Sequence, residues 1–169
     1  MSAKKPSQPT VRIEPARPGD AVLLVEFVRE LAEFERLLPE VRIKPEDLQR
    51  DLFGARPFAE AAVAWVGTDA VGFALWFHNY STFAGRPGLY LEDLYVRPAF
   101  RGPGFGEAML KYLAALALER GCARFEWSVL DGNDKASGFY RKLGAVPMED
   151  WTVYRIAGPA LARLARAAA

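Results

Sequence analysis

A strand that runs into a glycine-rich turn, with an amphipathic helix directly behind it, is the feature that most constrains this fold. Residues 89–96 (LYLEDLYV) are rich in the aromatic and apolar side chains that strands prefer, and Pro98 ends the run. The turn is RGPGFG at 101–106, and apolar residues then recur at helical spacing over 104–120. A strand, a tight turn and a helix in this order predict a βα unit within an α/β sheet.

The remaining pattern is strand-rich, with hairpins before the glycine-rich turn and a βαβα unit from that turn onward. Helices are predicted over 20–35, 45–54, 104–120, 134–142 and 159–169, and strands over 11–14, 61–66, 70–80, 89–96, 123–129 and 151–156. This order predicts an α/β fold with a mixed, mostly antiparallel central sheet and helices on both faces. We expect a disordered N-terminus over residues 1–9 and a single domain over residues 10–169.

The composition argues against several classes of function. The chain has 169 residues, 22 basic and 21 acidic side chains and a net charge of +1, which suggests no bulk attraction to nucleic acid or to an anionic membrane. With one cysteine, Cys122, and one histidine, His78, it can form neither an intrachain disulfide nor a zinc cluster, and we expect no metal. No apolar run reaches the length of a membrane span, and we expect a cytoplasmic protein.

The glycine-rich turn and the start of the helix form a candidate anion site. Glycines let a ligand approach the backbone closely, the helix start offers unpaired N–H groups, and Arg101 adds a positive charge. A dinucleotide-binding fold needs a third glycine where this chain has Glu107, and a P-loop needs a Gly-Lys-Ser/Thr sequence that does not occur here. The residues alone leave two alternatives, a phosphate or pyrophosphate site and a tight turn without a ligand.

Five motifs together resemble one family. RGPGFG (101–106) is similar to the acyl-CoA pyrophosphate loop of the GNAT superfamily of N-acetyltransferases. Four further motifs resemble the diamine branch of that family, which contains the spermidine/spermine and thialysine N-acetyltransferases. They are ELAEFE (30–35), FGARPF (53–58), YLEDLYV (90–96) and NDKASGFY (133–140). The resemblance covers nearly all of residues 11–156. It implies a GNAT fold with an acetyl-CoA-binding strand, loop and helix, and therefore an N-acetyltransferase domain.

The same resemblance implies acetyl-CoA as the cosubstrate. Its pantetheine arm would pair with the end of the strand, Leu94 to Val96, as if with a missing neighbouring strand. Asn133 either hydrogen-bonds that arm or a water, or is simply the N-cap of the helix over 134–142. The pyrophosphate would bind beside Arg101, held by the backbone amides of Gly102, Gly104, Phe105 and Gly106.

The implied reaction is attack of an amine on the acetyl thioester. An alkyl amine with a pKa of about 10.4 is mostly ammonium at pH 7, so the enzyme needs a proton acceptor and a donor for the thiolate. Glu92 matches the base of the family, and Tyr140 matches its tyrosine that faces the thioester sulfur. Without the resemblance, Glu92 is better explained as an ion-pair partner or a strand-edge polar residue, and Tyr140 as an aromatic packed beside Phe139. Strand alternation places Glu92 and Asp93 on opposite faces, which excludes a carboxylate pair unless a β-bulge intervenes.

The implied substrate is a small-molecule amine that carries positive charge. The acidic side chains that suit an ammonium group are Glu33, Glu35, Glu92 and Asp93. For Glu33 a place on a solvated helix face is the alternative. In the polyamine enzymes of the branch an acid stands where this chain has Ser81, whereas Ser81-Thr82 resembles the thialysine enzymes. We therefore expect Ser81 and Thr82 to bind substrate, with lysine-like or thialysine-type amines preferred to spermine.

Two other functions remain open, an acetyltransferase of protein amines and a CoA-binding module without catalysis. The presence of both Glu92 and Tyr140 argues against the silent module. We also expect a homodimer, from the resemblance and from the large apolar side chains over 76–83, with no nucleic-acid or membrane partner.

Overall fold

A computed structural model describes residues 10–167, in two units that meet along the chain between Ser128 and Val129. The expected disordered N-terminus, residues 1–9, lies outside the described residues, as do residues 168–169 of the last predicted helix. Division into two units does not test the expectation of one domain over residues 10–169, which stays a prediction.

The first unit is built on a five-stranded sheet in the order β1-β2-β3-β4-β5. The strands are β1 (Arg12–Pro15), β2 (Glu60–Val66), β3 (Asp69–Ser81), β4 (Arg86–Val96) and β5 (Phe125–Trp127). Each of the first three neighbouring pairs is antiparallel, and β5 pairs with β4 in the parallel direction. The predicted mixed, mostly antiparallel sheet is therefore confirmed, although β5 is shorter than the predicted strand over 123–129.

Three α-helices accompany this sheet, and their bounds lie within one or two residues of the prediction. They are α1 (Ala21–Phe34), α2 (Pro45–Phe53) and α3 (Phe105–Glu119), with short 3-10 turns at Pro18–Asp20, Leu38–Glu40 and Pro98–Phe100. Proline in the first turn of α2 suits a helix start, where a missing N–H costs no hydrogen bond. Among residues 10–167, no helix combines the length and the apolar character needed to span a membrane.

The core of the first unit lies on both faces of the sheet. On one face α1 and α2 bury Leu24, Phe27 and Leu48 against Phe73 of β3, and the rings of Phe27 and Phe73 stack with centroids 5.5 Å apart. On the other face the ring of Trp76 meets Tyr112 of α3 edge-on, with centroids 6.4 Å apart. Since Phe73 and Trp76 point to opposite sides of β3, helices cover both faces as predicted.

The pairing of β3 with β4 is interrupted by a β-bulge. Leu75 lies opposite Asp93, but its neighbour Trp76 lies opposite Leu91, so Glu92 is the extra residue of β4. A bulge of this kind breaks the strict alternation of side chains along the strand. The bulge therefore determines to which face of the sheet the side chains of Glu92 and Asp93 belong.

The second unit contains two helices, α4 (Asp134–Lys142) and α5 (Gly158–Arg166). The strand predicted over 151–156 is wrong, because the structure shows no strand in that segment. Trp151, Val153 and Tyr154 are 72%, 83% and 93% exposed. Within the described part of this unit no strand pairs with the segment. A composition rich in strand-forming residues does not make a strand without a partner that takes up its backbone hydrogen bonds.

Candidate active site

The glycine-rich turn has a backbone that only glycine adopts easily. Gly102 and Gly104 have φ angles of 112° and 90°, in the left-handed region. A Cβ added at either position would meet nothing within 4 Å, so it is the backbone conformation that requires glycine there.

The start of α3 offers free backbone donors. Gly104 is the N-cap, and the first N–H to bond within the helix is that of Ala108, which donates to the Gly104 carbonyl at 2.9 Å. The N–H groups of residues 105–107 therefore have no partner inside the helix. Together with the positive end of the helix dipole they suit an anion, and the pyrophosphate site itself stays a prediction.

Arg101 is held by the protein rather than turned freely toward solvent. Its Nε donates to the carbonyl of Val96 at 2.9 Å, and its guanidinium lies 4.4 Å from the ring centroid of Phe34 and 5.5 Å from that of Tyr95. The side chain thus ties the turn to the end of β4 and to the end of α1. Its charge is therefore held in a fixed position beside the turn.

The second half of β4 has an edge without a neighbouring strand. β5 pairs with β4 only from Leu89 to Leu91 and ends there. Among the described strands no other borders this edge, so the stretch from Leu94 to Val96 has its β3 side paired and its other side unpaired. An extended ligand can add to such an edge as a strand does.

A cavity of about 380 Å³ lies beside the bulge of β4. Its wall is apolar along α1, at Val28, Leu31 and Ala32, and along the following turn, at Leu37 and Val41. Its acidic groups are Glu35, Glu40, Glu92 and Asp93. Sequence reasoning missed Glu40, because it lies on the 3-10 turn Leu38–Glu40, where no helical or strand period marks a functional face.

Both acids of the bulge line this cavity, although strand alternation predicted opposite faces for them. That expectation is corrected by the register shift, which makes Glu92 the extra residue beside Asp93. Glu92 is exposed, whereas Asp93 is half-buried. The structure therefore brings together Glu35, Glu92 and Asp93, three of the predicted substrate-binding residues.

The electrostatics of the cavity favour a cation. Burial, and then the neighbouring charges of Glu92 and Glu35, raise the pKa of Asp93 to about 6. Partial burial also raises the pKa of Glu35. Such shifts show that negative charge is poorly solvated there, and a bound ammonium would relieve that cost. Among residues 10–167 no group of His, Cys, Asp and Glu side chains has the arrangement of a metal site.

Ser81 and Thr82 lie away from this cavity in the same chain. Ser81 ends β3 opposite Arg86, and its Oγ accepts a hydrogen bond from the N–H of Ala84 at 3.2 Å within the hairpin turn. Asp93 lies opposite Leu75, and six residues of strand at about 3.3 Å each separate Leu75 from Ser81 by roughly 20 Å. A substrate role for Ser81 and Thr82 stays a prediction.

Asn133 and Tyr140 belong to the second unit. Asn133 is the N-cap of α4, and its Oδ1 accepts a hydrogen bond from the N–H of Ala136 at 3.2 Å, which leaves its NH₂ group for other partners. The ring of Tyr140 packs beside that of Phe139, with centroids 5.4 Å apart. The N-cap interpretation of Asn133 is confirmed, and the cosubstrate and catalytic roles of both residues stay predictions.

Unpaired N–H groups at a strand–turn–helix junction and an acidic cavity along the same strand suit an enzyme that acylates amines. Comparison with known proteins defines the class: the model of the Acetyltransferase (GNAT) family matches residues 25–145. The chain belongs to this family, in its diamine and thialysine branch, and is an N-acetyltransferase.

Individual relatives resemble the chain along most of its length. A thialysine N-epsilon-acetyltransferase of Sus scrofa is 40% identical over 167 residues, which cover 92% of this chain and 98% of the relative. The protein of the same description from Mus musculus is 41% identical over 167 residues, with the same coverage of 92% and 98%. Among solved structures, an integron cassette protein from the mobile metagenome of V. cholerae superposes with a TM-score of 0.78 at 25% identity, covering 92% of this chain and 98% of that one.

Proposed function

We propose that this N-acetyltransferase moves the acetyl group of acetyl-CoA to the primary amine of a small cationic molecule. The observation that carries the proposal is the cavity in which Glu35, Glu40, Glu92 and Asp93 converge beside β4. Four carboxylates around apolar walls select a positively charged, partly apolar ligand. The relatives named for thialysine, a small amine, support the same class of substrate.

The residues of the turn fit the pyrophosphate of acetyl-CoA. The amides of Gly102 and of residues 104–106 would hold it, while Pro103 has no N–H to contribute. The unpaired edge of β4 from Leu94 to Val96 would hold the pantetheine arm. The resemblance to the family supports a hydrogen bond from Asn133 to the same arm. When bound, acetyl-CoA supplies an acyl thioester, an electrophile that an amine attacks without a covalent enzyme intermediate.

Two residues would accept and donate the protons of this reaction. Freeing an amine whose pKa lies about 3 units above neutral costs roughly 4–5 kcal/mol, so a carboxylate near the nitrogen is needed. We assign this to Glu92, directly or through a water, and assign to Tyr140 the donation of a proton to the departing thiolate. A phenol and a thiol have ordinary pKa values of about 10 and 8.5, close enough for that transfer.

We also propose a substrate of the lysine-like or thialysine type in preference to spermine. Ser81 is neutral where the polyamine enzymes of the branch carry an acid, so one ionic contact to a distal ammonium is missing. Because Ser81 and Thr82 lie roughly 20 Å along β3 from the cavity of their own chain, they reach a short substrate only from a second copy.

A second copy is therefore part of the proposal, as a homodimer. The hairpin between β3 and β4 exposes Tyr80 and Phe83, at 62% and 98% of their surface. In the second unit, Trp151 and Tyr154 are also largely exposed. Large aromatic side chains left in water are typical of surfaces that bind another protein chain.

The test is a turnover assay with acetyl-CoA and a panel of amines that includes thialysine, lysine, ornithine, putrescine, spermidine, spermine and a lysine-containing peptide. We expect N-acetylation of the short cationic amines, with the highest kcat/KM for thialysine or a lysine-like compound. Acetylation of the peptide alone would contradict the small-molecule substrate. Absence of transfer to every amine, with acetyl-CoA still bound, would contradict the whole proposal.

A further inference from the structure

The acids of the cavity have no cation among the residues that line it. Within the part of the chain that the structure describes, its charged lining residues are all acidic: Glu35, Glu40, Glu92 and Asp93. Burial raises the pKa of Glu35 with no positive charge acting against that shift. Burial and two neighbouring acids raise the pKa of Asp93, again without an opposing cation. The cavity therefore leaves negative charge for a ligand to neutralise.

The mouth of the cavity is formed by the end of α1 and the turn that follows. Glu35, Leu37 and Glu40 line the cavity and are also exposed, so they mark the place where it opens to solvent. Arg36 lies between Glu35 and Leu37 in the chain, with its Cα about 3.8 Å from the Cα of each. A long, exposed, positively charged side chain therefore starts at the mouth itself.

The backbone at Arg36 has a conformation that glycine adopts more easily. Among residues 10–167, Arg36 is the single non-glycine residue with a positive φ, 62°. The N–H of Leu37 donates to the carbonyl of Ala32 at 2.7 Å, and the N–H of Arg36 donates to that of Glu33 at 3.1 Å. These two bonds form a Schellman motif at the end of α1, in which glycine is the usual residue at the position of Arg36. The turn itself thus gives no reason for a guanidinium here.

Arg42 holds a second positive charge beside the same turn. It directly follows the lining residue Val41. Its Nη1 donates to the carbonyl of Pro39 at 3.3 Å, and Pro39 is the neighbour of the lining residue Glu40. This bond uses one of the guanidinium N–H groups and leaves the others for a ligand.

Neither arginine is neutralised by the protein. Within the described residues no ion pair includes Arg36 or Arg42, although Glu35 and Glu40 are close to them in sequence. The arrangement therefore has unpaired acids in the cavity and unpaired cations beside its mouth. Unpaired charges of both signs complement a ligand that carries both signs.

We infer that Arg36 and Arg42 bind the α-carboxylate of an amino-acid substrate whose side-chain ammonium enters the acidic cavity. The inference rests on the proposed function and adds to it the group that distinguishes a lysine-like substrate from a simple diamine. A guanidinium suits this group because its planar N–H donors match the two oxygens of a carboxylate.

The charges fix the orientation of such a substrate. The opposite orientation would place its carboxylate among four acids and its ammonium beside two arginines, so both ends would be repelled. The α-ammonium stands next to the carboxylate in an amino acid, and Glu40, between Arg36 and Arg42 in the chain, suits it. The reacting amine is then the one at the far end of the side chain.

The test compares acetylation of lysine, 6-aminohexanoate and cadaverine, which is lysine without its carboxylate. For Arg36→Gln and for Arg42→Gln, the ratio of kcat/KM for lysine to that for cadaverine should fall about ten- to a hundredfold, since a charged hydrogen bond is lost. The fall should lie mainly in KM, because the carboxylate is remote from the reacting amine. The ratio for 6-aminohexanoate to cadaverine should fall as well, because both sensitive substrates carry the carboxylate.

Two further variants separate binding from folding. Arg36→Gly removes the guanidinium but suits the positive φ, so it should unfold at the wild-type temperature or above and still lose the preference for lysine. Arg17→Gln is the matched control for loss of a positive charge. Arg17 is exposed and precedes the other end of α1, whose 14 residues span about 20 Å, so the wild-type ratios should persist.

The outcomes distinguish this inference from the proposed function. Ratios that stay at the wild-type value in Arg36→Gln, Arg36→Gly and Arg42→Gln would overturn the carboxylate site. A wild type that acetylates cadaverine but neither lysine nor 6-aminohexanoate would overturn it too, while transfer to a small amine would stand. A wild type that acetylates no amine would overturn the proposed function, and the carboxylate site with it.

Discussion

Tyr140 carries a hydroxyl whose loss leaves its ring in place beside Phe139. If this hydroxyl protonates the thiolate, Tyr140→Phe should lower kcat by roughly 10²–10⁴-fold and leave the Kd of acetyl-CoA nearly unchanged. Steady-state kinetics together with calorimetry measure both quantities. Phe139→Leu is the control for packing of the same helix, and a Tyr140→Phe enzyme with the wild-type rate would contradict the proton-donor role.

Ser81 places an uncharged side chain at the end of β3. Ser81→Asp should raise kcat/KM for spermine relative to thialysine by about ten- to a hundredfold, because a charge-assisted contact to a distal ammonium is worth roughly 1.5–3 kcal/mol. The hairpin should survive, since an aspartate oxygen can replace the Ser81 Oγ that accepts from the Ala84 N–H.

Ser81→Asn separates charge from hydrogen bonding in that experiment. Asparagine keeps an acceptor for Ala84 but adds no charge, so we expect the wild-type preference for short amines. A wild type that prefers spermine, with no further gain in Ser81→Asp, would show that Ser81 does not determine the substrate.

At the residue scale, three of the four acids that line the cavity could be named from the sequence, but their arrangement could not be predicted. The acids Glu35, Glu92 and Asp93 were all named from their motifs, and all three line one cavity. The bulge that unites Glu92 with Asp93 leaves no mark within the segment LEDLY, because it results from the register in which β4 pairs with β3. Pairing between distant segments is information that alternation in one strand does not contain.

The turn between β4 and α3 is the element on which the proposed cosubstrate site depends. Gly104 has a φ of 90°, and a side chain in this region costs roughly 1–2 kcal/mol. Gly104→Val should therefore distort the turn and misdirect the amides at the start of α3, raising the Kd of CoA about tenfold or more. Calorimetry with CoA measures the effect.

Gly121→Val is the matched control for that turn. Gly121 also has a positive φ, 67°, but follows the far end of α3. Both variants should lose similar stability in thermal unfolding, and only Gly104→Val should lose CoA affinity. Equal CoA affinity in the two variants would contradict the assignment of the turn to the pyrophosphate.

The contact of Arg97 with Glu30 connects the end of β4 to α1, which forms the apolar wall of the cavity. Arg97, just after β4, pairs with Glu30 of α1 at 2.7 Å and donates to the carbonyl of Ala70 at 2.9 Å. Its guanidinium also lies 4.7 Å from the ring centroid of Phe27. Because Glu30 lies little more than one turn before Glu35, this pair holds the acidic end of α1 at a set distance from β4.

Helices could be predicted more accurately than strands here, for a physical reason. The bounds of α1, α2 and α4 follow from apolar spacing and end signals that lie within each segment. The segment over 151–156 has the composition of a strand, yet it lacks a partner within the described residues of its unit. A helix satisfies its own backbone, whereas a strand needs a second segment whose position the local sequence does not contain.

At the scale of the whole molecule, the exposed aromatic groups predict that the 18.7 kDa chain is a homodimer in solution. Tyr80, Phe83, Trp151 and Tyr154 are between 62% and 98% exposed. Large aromatic side chains left in water, as on each of the two units, are typical of surfaces that bind another protein chain. Light scattering at micromolar concentration should give about twice the mass of one chain.

Substitutions that weaken the dimer can test whether substrate binding depends on the second copy. Phe83→Lys and Tyr154→Lys should weaken association, because each places a charge in an apolar contact, whereas Val22→Lys, at an exposed apolar residue of α1, should not. If a second copy supplies Ser81 and Thr82 to the substrate, dissociation should raise the KM for thialysine more than the Kd of CoA. A monomeric wild type with full activity on thialysine would contradict both the dimer and the contribution of the hairpin to the substrate site.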